Sequence, residues 1–337
     1  MPKFHVPTPL HVDFAPPIPG LHFRRFRGAK DYYTIAEVLE GSKDADQVER
    51  AATARNVSQE FLHMTNCDPF EDVLFAEVNG NAVGYGRVTW WQEVTGKRIY
   101  THLGHVLPEW RNQGIGRTML RLNETRLHEI ASTHPNDGPR VLGSFVADSQ
   151  KGQESLLQEE NYVAVRHFFD MVRPTLDDIP HTPLPDGLEI RPVTPEHYRP
   201  IWNALEEAFT DHWGHTAPSE NDYYAWLESP NFDASLWKVA WDGDQIAGMV
   251  INSINAKLNM SYARRRGNTD PVAVRAAWRR RGVARALLVA SLHELKARGM
   301  TEAALSVDTD SRFRALHLYE RLGYQKTKRT TAYQKPM

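Results

Sequence analysis

The chain has 337 residues, long enough for two domains of ordinary size with a buried core in each. Apolar residues make up 41% and charged residues 24%, a balance typical of folded globular proteins and not of disordered ones. Lys plus Arg is 40 and Asp plus Glu is 42, so the net charge is -2 and the basic excess typical of nucleic-acid-binding proteins is absent.

The single cysteine, Cys67, excludes an intramolecular disulfide and a cysteine-based metal site, and it fits a reducing cytoplasm. No stretch approaches the ~20 apolar residues of a membrane span, and the N-terminus lacks the apolar core of a signal peptide. We therefore expect a cytoplasmic monomer or homodimer with neither a membrane nor a nucleic-acid partner. The proline-rich residues 1–20 are expected to form an arm that lies on the body of the protein or is disordered.

The first half, residues 21–173, opens on a β-like run and a helix-like run. Two apolar runs follow, and the Asn79-Gly80 pair between them predicts a hairpin because both residue types tolerate positive φ. The segment VLPEWRNQGIGRTML at residues 106–120 leads into a predicted helix, a β-rich run and another helix-like stretch.

Residues 174–186 are rich in proline and show no hydrophobic periodicity, which indicates a linker. The second half, residues 187–337, repeats the order of the first, with Asp242-Gly243 at its hairpin turn. The segment VRAAWRRRGVARALL at residues 274–288 matches residues 106–120 at an offset of 168.

Each half is therefore predicted to be an α+β domain with a mixed sheet. In the second half, apolar residues Leu288, Leu292 and Leu295 recur at helical spacing, and Gly299 follows as a stop. Towards the C-terminal end of each half, Tyr162 and Tyr324 correspond at an offset of 162.

A glycine loop between a strand and a helix has a physical use. The first helical turn has unpaired N–H groups and the positive end of the helix dipole. Glycine lets the backbone approach a ligand closely. The loop therefore predicts an anion cradle suited to a pyrophosphate. It lacks both the Gly-Lys-Ser/Thr of a P-loop and the third glycine of the dinucleotide fingerprint.

Two motifs together resemble the GNAT acetyltransferase superfamily. The Val-x-x-x-Trp-Arg-x-x-Gly-x-Gly/Ala loop resembles its acetyl-CoA loop, and LHLYERLGYQK at residues 316–326 resembles its C-terminal motif. The repetition is similar to tandem GNAT proteins of the mycothiol synthase type. The resemblance implies two three-layer α/β domains, each a twisted, mostly antiparallel sheet flanked by helices, with acetyl-CoA as cofactor and no metal.

The resemblance also implies the residues that contact acetyl-CoA. In the second half these are Ala273, Val274, Arg279, Arg280, Arg281, Gly282, Val283, Ala284 and Arg285. The corresponding residues of the first half are Leu107, Arg111, Asn112, Gln113, Gly114, Ile115, Gly116 and Arg117. Whether the first half binds CoA or only keeps the loop geometry stays open at this point.

Amine attack on a thioester requires a neutral amine and benefits from an acid near the departing thiolate. The resemblance makes Tyr319 that acid; the alternative is a packing aromatic. In the first half, alignment of Tyr162 with Tyr324 places Leu157 at the corresponding position, so catalysis is assigned to the second half. Asp270 is the candidate base, with a turn residue as the alternative, and Asp308 is the second candidate.

The segment AFTDHWGHTAP at residues 208–218 follows the helix that begins the second half. Its His212, Trp213 and His215 are candidate acceptor-site residues, with structural packing or a metal site as alternatives.

The leading hypothesis is an acetyl-CoA-dependent N-acetyltransferase that modifies a primary amine of a small molecule or peptide. One alternative is a non-catalytic acyl-CoA-binding protein. Another is a mycothiol-synthase-like enzyme that acts on a thiol-bearing amino-sugar precursor.

Overall fold

The computed structural model describes residues 10–310 and 315–337 and divides into two compact units. Unit 1 comprises residues 1–165 and 331–337, and unit 2 comprises residues 166–330. Residues 1–9 of the predicted arm lie outside the described residues. None of the helices in the described part of the chain is long and apolar enough to cross a membrane.

Unit 1 is a mixed sheet with helices packed on it. Its strands are β1 (Leu21–Arg25), β2 (Val73–Val78), β3 (Asn81–Gln92), β4 (Arg98–Val106) and β5 (Arg140–Ala147). Its helices are α1 (Asp31–Lys43), α2 (Ala54–His63), α3 (Pro69–Asp72), α4 (Ile115–Ser132) and α5 (Lys151–Glu159). The strands lie in the order β1-β2-β3-β4-β5, antiparallel except for the parallel β4–β5 pair.

The strand β6 (Val163–Arg173) begins in unit 1 and ends in unit 2. Unit 2 contains strands β7 (Glu189–Ile190), β8 (Lys238–Asp242), β9 (Gln245–Val250), β10 (Arg266–Asn268), β11 (Val272–Val274), β12 (Glu302–Asp308) and β13 (Gln325–Pro336), whose last residues belong to unit 1. Its helices are α6 (Tyr198–Phe209), α7 (Glu220–Leu227), α8 (Ala256–Ser261), α9 (Val283–Ala297) and α10 (Ala315–Arg321).

Two sheets divide the strands of unit 2. One has the order β11-β9-β8-β7, and the other contains β13-β6-β12-β10, in which β10 and β12 are parallel. The prediction of mixed, mostly antiparallel sheets flanked by helices is confirmed. Both hairpins form, and Asn79 and Gly80 adopt φ of 50° and 82°. Helix α9 ends at Ala297, just before Gly299 with φ of 80°.

The unit boundaries differ from the predicted ones. The change of unit falls after Val165, within a strand, and not at the proline-rich residues 174–186. In those residues Leu176 is buried in the core of unit 2, so the segment is packed and not a loose linker. The last seven residues lie in unit 1, where Tyr333 joins the core below α4 and α5. The observed boundaries depend on pairing between strands that are distant in sequence, and the composition of the sequence does not reveal such pairing.

The described part of the N-terminal arm packs on unit 1. Leu10 bridges to Phe23, and Val12, Ala15 and Ile18 lie against the same apolar cluster. Burial of these apolar side chains is the driving force that holds an otherwise irregular segment to the domain.

The missing side chain of Gly248 in β9 allows strand β11 to pack closely against β9. An ideal Cβ there would lie 2.8 Å from the carbonyl oxygen of Ala273 and 3.3 Å from Val283 Cγ1. We expect Gly248→Ala to lower the free energy of unfolding by ~1–3 kcal/mol, because the added methyl overpacks the strand pair. Urea unfolding followed by circular dichroism measures this change. The control is Gly152→Ala in α5, where nothing described lies within 4 Å of the added methyl; equal midpoints for the two variants would contradict the prediction.

Candidate functional site

The glycine loop of unit 2 connects β11 to α9. The chain leaves β11 at Val274, makes a 3-10 turn over Ala276–Trp278 and begins α9 at Val283. Gly282 caps the helix with φ of 89°, and an ideal Cβ there would meet no described atom within 4 Å. The backbone N–H groups of the first helical turn and the helix dipole together can hold an anion here.

Arg279 braces this loop through its side chain. Its guanidinium donates to the carbonyl oxygens of Val274 (2.9 Å) and Ala208 (3.0 Å) and to the carboxylate of Asp211 (3.0 Å). The loop is thereby tied to the end of its own strand, to the last turn of α6 and to the segment after that helix. The expected contribution of Arg279 to a phosphate is therefore revised to its backbone, because the guanidinium is engaged by protein oxygens.

Three other arginines supply positive charge at the loop. They are exposed and have no ion-pair partner among residues 10–310 and 315–337: Arg280, Arg281 and Arg285. Arg280 has φ of 61°, a left-handed conformation in a non-glycine residue. An unpaired cluster of cations next to a helix N-terminus favours a ligand with several negative charges.

A cavity of about 940 Å³ opens between β11 and β12, which belong to different sheets. Both proposed catalytic residues, Asp270 and Tyr319, line it. The predicted cofactor residues that line it are Ala273, Val274, Arg279, Arg280, Gly282, Val283, Ala284 and Arg285. Of the predicted loop residues only Arg281 lies outside this described lining. The structure thus brings the candidate cradle and the candidate acid and base onto one cavity.

Of these two lining residues, Tyr319 is buried and Asp270 is partly buried. The Asp270 carboxylate accepts a hydrogen bond from the backbone N–H of Ser306 at 3.4 Å. Burial, and secondarily the negative charge of Asp170, raises the pKa of Asp270 to about 6. Burial, with the nearby Asp270 charge, also raises the pKa of Tyr319. Tyr319 is therefore a protonated donor at neutral pH, and Asp270 changes charge near it.

Asp308, the second candidate base, has a different environment. Its two carboxylate oxygens accept hydrogen bonds from Arg166, each at 2.8 Å. This bidentate pair engages both carboxylate oxygens of Asp308 with the guanidinium. Asp308 therefore lines the cavity with both carboxylate oxygens already engaged by Arg166.

The three candidate acceptor-site residues are placed unequally. His212 lines the cavity, and burial lowers its pKa. Trp213 lies against the ring of Phe168, a lining residue, with 5.9 Å between ring centroids. His215 lies outside the described lining. Within the described residues no group of three or more His, Cys, Asp or Glu side chains could hold a metal ion.

The glycine loop of unit 1 has the same backbone conformation. Asn112 and Gly114 have φ of 58° and 89°, against 61° and 89° for Arg280 and Gly282. Arg111 makes the brace, donating to the Val106 carbonyl oxygen at 2.8 Å and to both oxygens of Asp46 at 2.9 and 3.1 Å.

A cavity of about 770 Å³ adjoins this loop in unit 1. Asn112, Gly114, Gly116 and Arg117 line it, and so does the fully buried Leu157, the residue aligned with Tyr319. Ile115 is fully buried, and Gln113 donates to the Glu109 carbonyl oxygen at 2.9 Å.

One correspondence between the halves is corrected by strand pairing. The Leu107 N–H donates to the Val83 carbonyl oxygen at 2.9 Å, as the Arg275 N–H donates to that of Ala247 at 3.0 Å. Leu107 is therefore the counterpart of Arg275. The counterparts of Ala273 and Val274 are the two residues before Leu107, His105 and Val106.

The two loops differ in charge and cover. Arg117 pairs with Glu159 and, at 3.0 Å, with Glu160, so its positive charge is compensated. The charges of Arg280, Arg281 and Arg285 in unit 2 have no such partner among the described residues. An ideal Cβ on Gly114 would lie 3.2 Å from Pro16 Cβ, because the N-terminal arm packs on this loop.

Several residues that line the cavity or contact its lining were not predicted from the sequence. Phe168 and Phe209 contribute aromatic walls, Ser306 donates its N–H to Asp270, and Arg166 neutralises Asp308. Phe168 and Arg166 come from β6, which sequence reasoning assigned to the other domain. The repeat offset of 168 also places His102 opposite Asp270, a signal available in the sequence and not used.

Comparison with known proteins defines the class. The profile described as "Acetyltransferase (GNAT) family" matches residues 198–324, and that described as "Acetyltransferase (GNAT) domain" matches residues 69–142. Each half of the chain therefore contains a region of the GNAT acetyltransferase family.

Individual relatives support this assignment. The chain is similar to a mycothiol acetyltransferase of Salinispora tropica, at 28% identity over 79% of this chain and 82% of the relative. It is also similar to the structure of a GCN5-related N-acetyltransferase from Sphaerobacter thermophilus (TM-score 0.71, 25% identity, 94% of this chain and 95% of that chain). A tandem GNAT protein from the clavulanic acid biosynthesis pathway shares the fold (TM-score 0.62, 14% identity, 94% and 98%).

The pKa of Asp270 provides a test of the site's electrostatics. Since the negative charge of Asp170 helps to raise that pKa, Asp170→Asn should lower it below its starting value of about 6. NMR titration of ¹³C-labelled aspartate in the full chain measures both values. Asp310→Asn, which removes an exposed carboxylate 3.6 Å from Arg166, is the control and should leave the Asp270 titration in place. An unchanged midpoint in Asp170→Asn would rule out the proposed coupling.

Proposed function

We propose that unit 2 transfers an acetyl group from acetyl-CoA to a primary amine of a small molecule. The observation that carries this proposal is that Asp270 and Tyr319 line the same cavity as the Gly282 loop. The family matches support the reaction class, and the loop conformation shared by the two halves supports a ligand with a pyrophosphate.

The residues present fit acetyl-CoA. Open space above Gly282 admits a phosphate to the helix N-terminus. Arg280, Arg281 and Arg285 would neutralise the nucleotide phosphates, while Arg279 keeps the loop in shape. The backbone of Ala273 and Val274, on the wall that faces β12, would bind the pantetheine arm.

Asp270 and Tyr319 would divide the proton transfers between them. Bound acetyl-CoA supplies an acetyl group already activated as a thioester. Above about pH 6 Asp270 is ionised, so it can remove a proton from the incoming ammonium, directly or through a water molecule. Tyr319 remains protonated in its buried position and can donate its proton to the departing thiolate. The main contribution of the remaining residues is positioning.

The acceptor is proposed to be a small molecule with a free amine. The relatives named mycothiol acetyltransferase favour a thiol-bearing amino-sugar derivative. Phe168, Phe209 and His212 would give the acceptor a partly apolar wall in this cavity. The Asp270 carboxylate would give its amine a negative charge. The alternative of a non-catalytic acyl-CoA-binding protein leaves the shared placement of Asp270 and Tyr319 without a role.

Tyr319→Phe tests the acid. The variant keeps the ring but removes the proton donor, so kcat should fall by about 10²-fold or more while KM for acetyl-CoA changes little. The assay is release of CoA thiol with a panel of primary amines. Tyr324→Phe is the matched control: its hydroxyl bonds Thr269 at 2.7 Å and does not line the cavity, so kcat should stay within about threefold. Equal effects of the two substitutions would remove Tyr319 from the mechanism.

The unpaired arginines provide a second test. Combined replacement of Arg280, Arg281 and Arg285 by alanine should raise KM for acetyl-CoA by about tenfold or more, because each removes a charge-assisted contact to phosphate. S-acetylpantetheine, which has no phosphate, is the control substrate, and its KM should be unaffected. Equal changes for both substrates would show that the arginines act through the fold and not through the phosphates.

A further inference from the structure

His102 of unit 1 occupies the position that Asp270 occupies in unit 2. Each lies four residues before the end of its strand segment, at Val106 and Val274. Each also lies just beyond the last parallel pair with the next strand, which is Thr101 with Gly143 in unit 1. Both side chains line the cavity of their own unit.

A chain of hydrogen bonds orients the His102 ring. The Tyr162 hydroxyl donates to Glu124 at 2.9 Å, and Lys335 donates to the same carboxylate oxygen at 2.9 Å. Tyr162 has one proton, so its oxygen must accept at its 3.0 Å contact with His102 Nε2. His102 therefore carries its proton on Nε2, and Nδ1 is left as a lone-pair acceptor for the cavity.

Burial keeps this ring neutral. Desolvation, and then the positive charge of Lys335, lowers the pKa of His102 to about 4. The imidazole is therefore available as a base throughout the neutral pH range. The carboxylate of Glu124, one hydroxyl away, can stabilise the ring when it takes up a proton.

The wall of the same cavity contains a further polar atom that no described group satisfies. Asn123 Oδ1 is buried without a hydrogen-bond partner, and Asn123 lines the cavity on the face of the sheet that His102 also occupies. Buried polar atoms in native structures are satisfied by a ligand or by water. The Asn123 oxygen therefore indicates that this cavity takes a polar ligand.

The charges of the cavity define its reactant. The lining carboxylates Asp46 and Glu159 are paired with Arg111 and Arg117, so neither is left to hold an ammonium group. Leu157 replaces the tyrosine acid. A neutral nucleophile suits this arrangement better than an amine.

We propose that unit 1 is a second reaction centre, which hydrolyses a pantetheine thioester with His102 as its base. It uses the same donor class as the proposed function but none of the residues of unit 2. Water attacks the thioester carbonyl carbon as His102 Nδ1 takes one of its protons. The carbon–sulfur bond then breaks, the proton passes from Nδ1 to the thiolate, and the products are a carboxylic acid and a free thiol.

The test uses the full chain with Asp270→Asn and Tyr319→Phe, which silence unit 2. Release of acetate and thiol is measured without an amine, from acetyl-CoA and from S-acetylpantetheine. We expect slow hydrolysis of at least one of them, and a further loss of about tenfold or more when His102→Gln is added, since glutamine cannot serve as the base. If only one of the two thioesters is hydrolysed, that thioester is the donor that unit 1 accepts beside its glutamate-paired Arg117.

Two further variants separate chemistry from folding. Gly116→Glu projects a side chain into the cavity from a Cβ 3.7 Å from Leu156 Cδ2, and it should abolish hydrolysis with His102 intact. His134→Gln alters a histidine that bonds Tyr100 at 2.8 Å outside the cavity lining, and it should not change the rate. No hydrolysis in the silenced chain, or equal rates with and without His102→Gln, would overturn the proposal. Amine acetylation by the unaltered chain tests unit 2 separately.

Discussion

The site in unit 2 depends on one change of strand partner. β10 pairs with β12, whereas β11, only a few residues later, pairs with β9 of the other sheet. One strand segment cannot hydrogen-bond to both β12 and β9 where these two strands diverge. The unpaired backbone edges of β11 and β12 therefore face a cavity. Asp270 lies at this transition and Ala273 just after it. The loop follows the end of β11, and Arg279 ties it to that end.

The two units share this geometry and differ in charge. In unit 2 three loop arginines have no ion-pair partner among the described residues, whereas in unit 1 the arginine of the loop's helix pairs with glutamates of the α5 segment. The same loop conformation thus has uncompensated positive charge in unit 2 and compensated charge in unit 1. The polar centres differ in the same manner: a carboxylate whose pKa lies near neutrality in unit 2, and a buried neutral imidazole in unit 1. The two loops share a backbone conformation, and the side chains around them differ.

Local chemistry made much of this predictable. The positive φ of Asn79 and the glycine caps follow from residue type, and the helix after each loop follows from its apolar period. The arrangement of Asp270 and Tyr319 on one cavity followed only from resemblance, because they are 49 residues apart in sequence. The sequence could not show the role of the Arg279 side chain. A guanidinium beside a glycine loop can donate either to a phosphate or to a carbonyl oxygen of the protein.

The sequence by itself determined the tandem repeat, the two glycine loops, the mixed sheets with their helices, and the difference between Tyr319 and Leu157. These depend on local backbone preference, on hydrophobic period and on residue identity. Only the tertiary structure decided where the units divide, which arginines are compensated, and that Asp308 is held by Arg166. It also decided that His102 lines a cavity and that its Nε2 bonds the Tyr162 hydroxyl. Such features depend on contacts between segments distant in sequence, whose partners no local pattern specifies.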